Sequence, residues 1–86
     1  MHSSTYTVST TRQIVVAADN QNRTVYLHVI GTGIVYLGGA DVTSTNGMPT
    51  EKSAAPFQLF VPANEALYAI TATATEDLRI LTPSID

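Results

Sequence analysis

The sequence contains no cysteine and no tryptophan, and it holds only two histidines, His2 and His28. Disulfides are therefore excluded, and a structural zinc site lacks its usual ligands, so we expect no metal and no cofactor. A chain of 86 residues buries only a modest core, and such chains often rely on disulfides, metals or oligomerisation. Of these three supports, oligomerisation is the one that the composition leaves open.

Charge is also scarce. Charged residues make up 13% of the chain, compared with about 25% in a typical domain, and the net charge is −3. The four basic residues are scattered, so the chain has no basic stripe for nucleic-acid phosphates. The charge-free stretch 24–40 is broken by glycines and is shorter than the roughly 20 apolar residues of a membrane helix. We expect no nucleic-acid partner, no membrane binding and, from residues 1–5, no signal peptide.

What the sequence does contain is β chemistry. Thr, Val, Ile and Tyr dominate the segments between turn residues, and no window has the apolar spacing of an amphipathic helix. The pattern predicts a single domain, residues 1–86, folded as an antiparallel β-sandwich or small β-barrel of about seven short strands. The predicted strands are Tyr6–Ser9, Gln13–Ala17, Thr24–Ile30, Ile34–Gly38, Phe57–Val61, Leu67–Ala72 and Leu78–Leu81.

Turn residues separate these strands. Gly31–Gly33 predicts a tight hairpin loop, across which Ile30 would face Ile34 and His28 would face Tyr36. Thr73–Asp77 is predicted to close the last hairpin, and the longest irregular stretch runs from Gly39 to Ala55. The Ser/Thr-rich residues 1–18 form either an extended arm that adds a strand to a neighbouring chain or the first strand pair of the same sandwich.

The strands are apolar on both of their faces. Val25, Leu27, Val29, Val35 and Leu37 share one parity, and Tyr26, His28, Ile30, Ile34 and Tyr36 share the other. Nearly all charges fall in turns or at strand ends, and only Arg79 lies well inside a strand. A two-layer domain of this size hides one face of each strand, so we expect the second face to contact protein, most simply another copy of the chain. The alternative is that these are scattered surface apolar residues, which are ordinary.

Residues for catalysis are sparse. His28 lies in mid-strand, where a cross-strand or interface hydrogen bond fits better than a role in a serine triad. The adjacent carboxylates Glu76 and Asp77 are typical of a solvated turn, and the oxygens of residues 19–22 fall short of a calcium ligand set. We therefore expect no catalytic residues and no enzymatic activity.

Three tyrosines, Tyr26, Tyr36 and Tyr68, suggest a second kind of function. Together they could form an aromatic platform for sugar rings, which is the basis of a carbohydrate-binding alternative. Tryptophan is absent and aromatics make up only 7% of the chain, which weakens this interpretation. Tyrosine is also enriched in protein interfaces, so a subunit contact explains the same residues.

About two-thirds of the chain, from Thr24 to Leu81, resembles small virion proteins of tailed bacteriophages. The resemblance lies in a strand followed by a Gly-Gly turn, an Asn-Gly-Met-Pro loop and a Leu-Tyr-Ala strand. Its residues are Gly33–Gly39, Asp41–Thr43, Asn46–Pro49, Phe57–Leu59, Ala66–Ala69 and Leu78–Leu81.

This resemblance implies a non-enzymatic capsid decoration protein on the capsid exterior of the virion. Its partners would be the major capsid protein and copies of itself, with a homotrimer favoured. We expect the protein interface to include Tyr26, His28, Tyr36 and Phe60, with the Gly39–Ala55 loop as a contact element. The alternative is a small carbohydrate- or receptor-binding β module of a phage fibre or tail.

Overall fold

The computed structural model describes residues 2–52 and 57–82, and all regular structure within them is β-strand. The eight strands are β1 (His2–Val8), β2 (Gln13–Val16), β3 (Arg23–Val29), β4 (Ile34–Gly38), β5 (Met48–Glu51), β6 (Phe57–Val61), β7 (Leu67–Thr71) and β8 (Glu76–Thr82). They form two antiparallel sheets. Sheet I has the strand order β1-β8-β3-β6, and sheet II has the order β2-β7-β4-β5. The predicted β-sandwich is confirmed, and the two sheets do not close into a barrel.

The strand pairing follows one simple plan. β1 pairs with β8, β2 with β7, β3 with β6 and β4 with β5, so the chain runs as one long hairpin whose tip is the β4–β5 loop. Pairing of β3 with β8 and of β4 with β7 then rolls this hairpin into two layers. An eight-stranded, two-sheet arrangement of this kind is a jelly roll.

Side-chain alternation places the core between the sheets. Successive residues of a strand point to opposite faces, so every second residue of β3 and of β4 points inward. The set that shares one parity in the sequence, such as Val25 and Leu27 from sheet I and Val35 and Leu37 from sheet II, is the buried one. The remaining members of the core cluster are Val8, Val15, Val16, Val29, Val61, Leu67, Ala69, Leu78 and Ile80.

Two predicted hairpins are wrong. β3 and β4 lie in different sheets, and so do β7 and β8, so His28 does not face Tyr36 across a turn. The Gly31–Gly33 loop instead carries the chain from one layer to the other. The Glu76 carboxylate lies against Gly31 and Gly33, where a side chain on either glycine would meet it.

The N-terminal residues belong to both sheets. β1 is an edge strand of sheet I, paired along its whole length with β8 of the same chain, and β2 is an edge strand of sheet II. Both strands of residues 1–18 thus lie in the sandwich of this chain, in different sheets, and they do not pair with each other.

The stretch predicted to be irregular contains an eighth strand, β5, and an ordered loop. Within this 39–47 loop, the Thr43 amide donates to Asn46 Oδ1 at 2.7 Å, and Asn46 Nδ2 donates to the Asp41 carbonyl at 3.3 Å. The Gly47 amide donates to the Thr43 carbonyl at 2.9 Å. Residues 53–55 of the predicted irregular stretch lie outside the described residues. The tip of the long hairpin is therefore held by its own hydrogen bonds.

Gly47 packs so closely that the loop requires glycine there. A Cβ at this position would lie 2.6 Å from Tyr36 Cβ and 2.9 Å from the Thr43 carbonyl oxygen, whereas a Cβ on Gly39 would meet only Asp41 Oδ1 at 3.5 Å. We predict that Gly47→Ala lowers the free energy of unfolding by about 1–3 kcal/mol, because backbone and side chain must shift to admit the methyl group. Gly39→Ala, the matched control, should leave it unchanged or raise it by up to about 1 kcal/mol.

Urea denaturation followed by far-UV circular dichroism, at one fixed chain concentration, measures both variants against the parent chain. Equal stability of the two alanine variants would contradict the packing described for Gly47.

Candidate functional site

The sandwich has two outer faces, and the four residues predicted for the protein interface divide between them. Tyr26, His28 and Phe60 have the outward parity of sheet I, whereas Tyr36 has that of sheet II. The hydrophobic core separates the two faces, so no single contact surface can hold all four residues. The same division separates Tyr26 from Tyr36 and Tyr68, so the predicted three-tyrosine platform does not form.

The outer face of sheet II is apolar. We define the apolar face as Ile14, Ile34, Tyr36, Tyr68 and Ile70, which β2, β4 and β7 point outward. Ile14 lies opposite Tyr68, and Tyr36 lies opposite Ile70, so these side chains form adjoining rows. Ile14 is 47% exposed and Ile34 is 39% exposed, which shows that solvent reaches this face in the isolated chain.

Charge is nearly absent from this face. Among the outward strand residues of sheet II, all of which the structure describes, only Glu51 at the end of edge strand β5 has a formal charge. The second, apolar strand face predicted from the sequence is thus present on sheet II, where β4 and β7 carry apolar side chains at both parities.

The 39–47 loop folds over one end of the apolar face. Val42 is only 2% exposed, yet it lies outside the core cluster between the sheets. It packs on the outward side of Gly38, where a Cβ would approach Val42 Cγ2 to 2.8 Å. Arg12 Nη1 donates to the Val42 carbonyl at 3.2 Å and fixes the loop to the β1–β2 connection. The loop and the apolar face are therefore one continuous surface.

The outer face of sheet I has a different character. Around Arg79 it forms a depression of about 330 Å³, open to solvent, which we call the Arg79 depression. Arg79 pairs with Thr5 of β1 on one side and with His28 of β3 on the other. Tyr26, Leu81 and Ser3 form the adjacent row. Aromatic, hydroxyl, imidazole and guanidinium groups thus meet on the two central strands and one edge strand of the sheet.

The three arginines differ in the hydrogen bonds that their side chains make. Arg23 donates to the carbonyls of Gln21, Ala17 and Glu65, which ties the β2–β3 loop to the β6–β7 turn. Arg12 holds the 39–47 loop, as described above. No hydrogen bond or ion pair joins the Arg79 guanidinium to another residue within 2–52 or 57–82. Its cation is therefore available to a ligand.

The structure also places the other residues that the sequence offers as candidates for catalysis or calcium binding. The direct cross-strand neighbour of His28 is the cation Arg79, not the carboxylate that orients the histidine of a triad. Glu76 and Asp77 are successive strand residues whose side chains point to opposite faces, and Asp77 accepts a bond from Thr7 Oγ1 at 3.2 Å. Asn22 Oδ1 accepts the Ala63 amide at 2.8 Å.

Two further features concern a metal site and a membrane-spanning helix. Within the described residues, no three His, Cys, Asp or Glu side chains cluster closely enough to hold a metal ion. Across the same part of the chain, no helix has the length and apolar content to cross a membrane.

Comparisons of the chain with protein-family models, with curated protein sequences and with solved structures found no significant match. Any functional conclusion therefore depends on the surfaces themselves.

Sequence reasoning did not find that Ile14 belongs to the apolar face or that a depression surrounds Arg79. Ile14 joins the face only because β2 lies beside β7, which is not visible in the local sequence. The unusual position of Arg79, a charge in mid-strand, is the signal in the sequence that points to the depression.

Because Arg23 is bonded within the fold and the Arg79 guanidinium is not, substitution by lysine should affect the free energy of unfolding at only one of the two positions. Arg23→Lys should lower the free energy of unfolding by about 1–2 kcal/mol, because an ammonium cannot serve three separated carbonyls as a guanidinium does. Arg79→Lys should change it by less than about 0.5 kcal/mol, since no intramolecular bond is lost. Urea titration of both variants checks this. A loss at Arg79 as large as that at Arg23 would show that Arg79 is structural.

Proposed function

We propose that the chain is a non-enzymatic structural protein of a phage virion. In this proposal it is a capsid decoration protein that assembles as a homotrimer and binds the major capsid protein on the capsid exterior. The observation that carries the proposal is the apolar face of sheet II, joined to the ordered 39–47 loop.

The apolar face suits contact between copies of the chain. Homo-oligomer interfaces are more apolar than the rest of a protein surface and are enriched in aromatic residues. The apolar face contains two such residues, Tyr36 and Tyr68. Each chain has a net charge of −3, so copies repel one another most weakly where charge is absent. Glu51 lies at the margin of the face, on the edge strand. Burial of the face between copies would also supply the stabilisation that a small chain without disulfides needs.

The 39–47 loop suits contact with the capsid. Asp41, Thr43, Thr45 and Asn46 are exposed, whereas Val42 and Arg12 hold the loop in place. A pre-ordered loop loses little conformational entropy when it binds, so more of its contact energy appears as affinity. Because the loop adjoins the apolar face, a trimer would present three such loops beside its subunit contacts.

Fold and resemblance point in the same direction. Jelly rolls occur in viral capsid and lectin domains, which is support by analogy alone. Much of the resemblance to phage virion proteins falls on one part of the molecule. Gly33–Gly39 includes β4, Asn46–Pro49 leads into β5, and Ala66–Ala69 includes most of β7. These segments build sheet II and the loop over it.

Such a protein acts through mass action and requires no reacting group. A ligand that binds only the assembled shell stabilises that shell by RT ln(1 + [L]/Kd), and repetition over many equivalent sites multiplies a modest contribution.

A prediction concerns the oligomer. The parent chain should have three times its 9.2 kDa mass by light scattering coupled to size exclusion. The double variant Ile14→Glu, Ile34→Glu should be a folded monomer, because both side chains are solvent-accessible in the isolated chain and charge on them opposes burial. Phe60→Glu, at a 56% exposed residue of sheet I, is the matched control and should remain a trimer. The proposed interface would be contradicted if the parent chain were a monomer. It would also be contradicted if Phe60→Glu dissociated the trimer.

A second prediction concerns the capsid. The chain should co-sediment saturably with empty shells of the major capsid protein encoded in the same genome. Thr45→Arg, in the exposed part of the 39–47 loop, should weaken this binding at least about tenfold, through the bulk and charge it inserts into the contact. Thr73→Arg, exposed in the β7–β8 connection at the opposite end of sheet II, should bind as the parent does. Failure of the parent chain to bind any such shell would refute the proposal.

A further inference from the structure

The Arg79 depression lies on the face opposite the one assigned above to assembly. Its volume of about 330 Å³ is at the lower end of the range for small-molecule sites, which is the scale of one sugar residue. β8 and β3 supply its floor, and β1 supplies its rim, with Ser3 and Thr5 pointing outward beside Leu81 and Arg79. The hydrogen bonds between β1, β8 and β3, which lie side by side in sheet I, hold the lining residues in fixed register.

Arg79 indicates the charge of the ligand. It is on a central strand of sheet I, it is exposed, and its guanidinium is bonded to no other described residue. Arg12 and Arg23, by contrast, are both engaged with backbone carbonyls. The planar guanidinium binds a carboxylate through two parallel hydrogen bonds, which fixes both the position and the orientation of that group. His28, directly beside it, offers a further hydrogen-bonding group.

The rest of the lining indicates the remainder of the ligand. Tyr26 is 42% exposed and, with its cross-strand neighbour Leu81, forms an apolar wall next to the cation. The hydroxyl groups of Ser3 and Thr5 lie along the other side. An aromatic surface beside several hydroxyl groups suits a sugar ring, which presents apolar C–H groups on its faces and hydroxyls at its edge. An acidic side chain of a peptide would need only Arg79 and would leave the wall and the hydroxyls unused.

We propose that the Arg79 depression binds a carboxylate-bearing sugar residue, of the uronic or sialic acid class. Arg79 holds the carboxylate, Tyr26 packs against the ring, and His28, Ser3 and Thr5 bond the ring substituents. This site does not depend on the assembly proposed above. If sheet II is covered by other chains, the depression on sheet I still faces solvent, so one face would assemble and the other would bind glycan.

The test is a titration of the purified full chain, followed by ¹H–¹⁵N NMR, with galacturonic acid, N-acetylneuraminic acid, galactose and acetate. At least one acidic sugar should shift the amide signals around residues 26–28 and 79–81 saturably. Galactose and acetate should each bind at least about tenfold more weakly, because each lacks one half of the contact. No saturable shift with either acid, or acetate binding as tightly as the acids, would overturn the proposal. So would tighter binding of a short Glu-rich peptide.

Variants separate the two halves of the site. Arg79→Gln should abolish binding of the acidic sugar, and Arg79→Lys should weaken it by keeping the charge without the paired donors. Tyr26→Ala should weaken it about tenfold or more, whereas Tyr26→Phe should retain it. Tyr36→Ala, on the opposite face, is the control and should bind as the parent does. Binding that is lost in Tyr36→Ala but kept in Arg79→Gln would place the sugar on sheet II and refute this site.

The mass of Arg79→Gln by light scattering keeps this inference distinct from the assembly proposal. It should equal that of the parent chain, whatever the outcome of the sugar titration.

Discussion

The packing of two inward sheet faces against each other is the interaction on which the rest of this molecule depends. With no disulfide to support it, the core must be built from short aliphatic side chains of all the main strands. Val25, Leu27 and Leu78 in sheet I meet Val35, Leu37 and Ala69 in sheet II. Transfer of a valine or leucine side chain from water stabilises the fold by roughly 1.5–3 kcal/mol, and the sum of these terms must offset the ordering of the chain. A two-layer core of this kind uses one parity of each strand and leaves the other parity free.

The residues of this outward parity differ in character between the two sheets. On sheet II the outward parity is apolar, and the 39–47 loop has its own buried anchor, Val42, on the outside of Gly38. On sheet I the outward parity mixes aromatic, hydroxyl and cationic groups around Arg79. The core blocks direct contact between these surfaces, so a ligand on one need not compete with a partner on the other. A thin sandwich can therefore have two independent binding functions even in a small chain.

Sequence reasoning found what is local and failed on what is not. The parity of Val25, Leu27 and Val29 depends only on alternation along one strand, and the structure confirms it. The hairpin predicted across Gly31–Gly33 was wrong because a short glycine loop can either reverse the chain within a sheet or carry it between sheets. Which of these occurs is decided by the partners of β3 and β4, namely β8 and β7, which lie far away in the sequence. The strand β5 was missed because Pro49 and Glu51 are poor strand formers, and only pairing with β4 makes them extended.

The same non-local pairing explains why the candidate sites were only partly predictable. Tyr26 and Tyr36 each follow a valine and precede a leucine in the sequence, yet they lie on opposite faces because β3 and β4 belong to different layers. The Arg79 depression combines the first strand of the chain with the last, so Ser3 and Thr5 reach Arg79 only after the long hairpin has closed. Closure of β1 against β8 also covers the edge of β8 that would otherwise be exposed for pairing with other chains. The pairing that completes the fold is thus also the one that assembles the rim of the depression, which ties any ligand binding there to a fully folded chain.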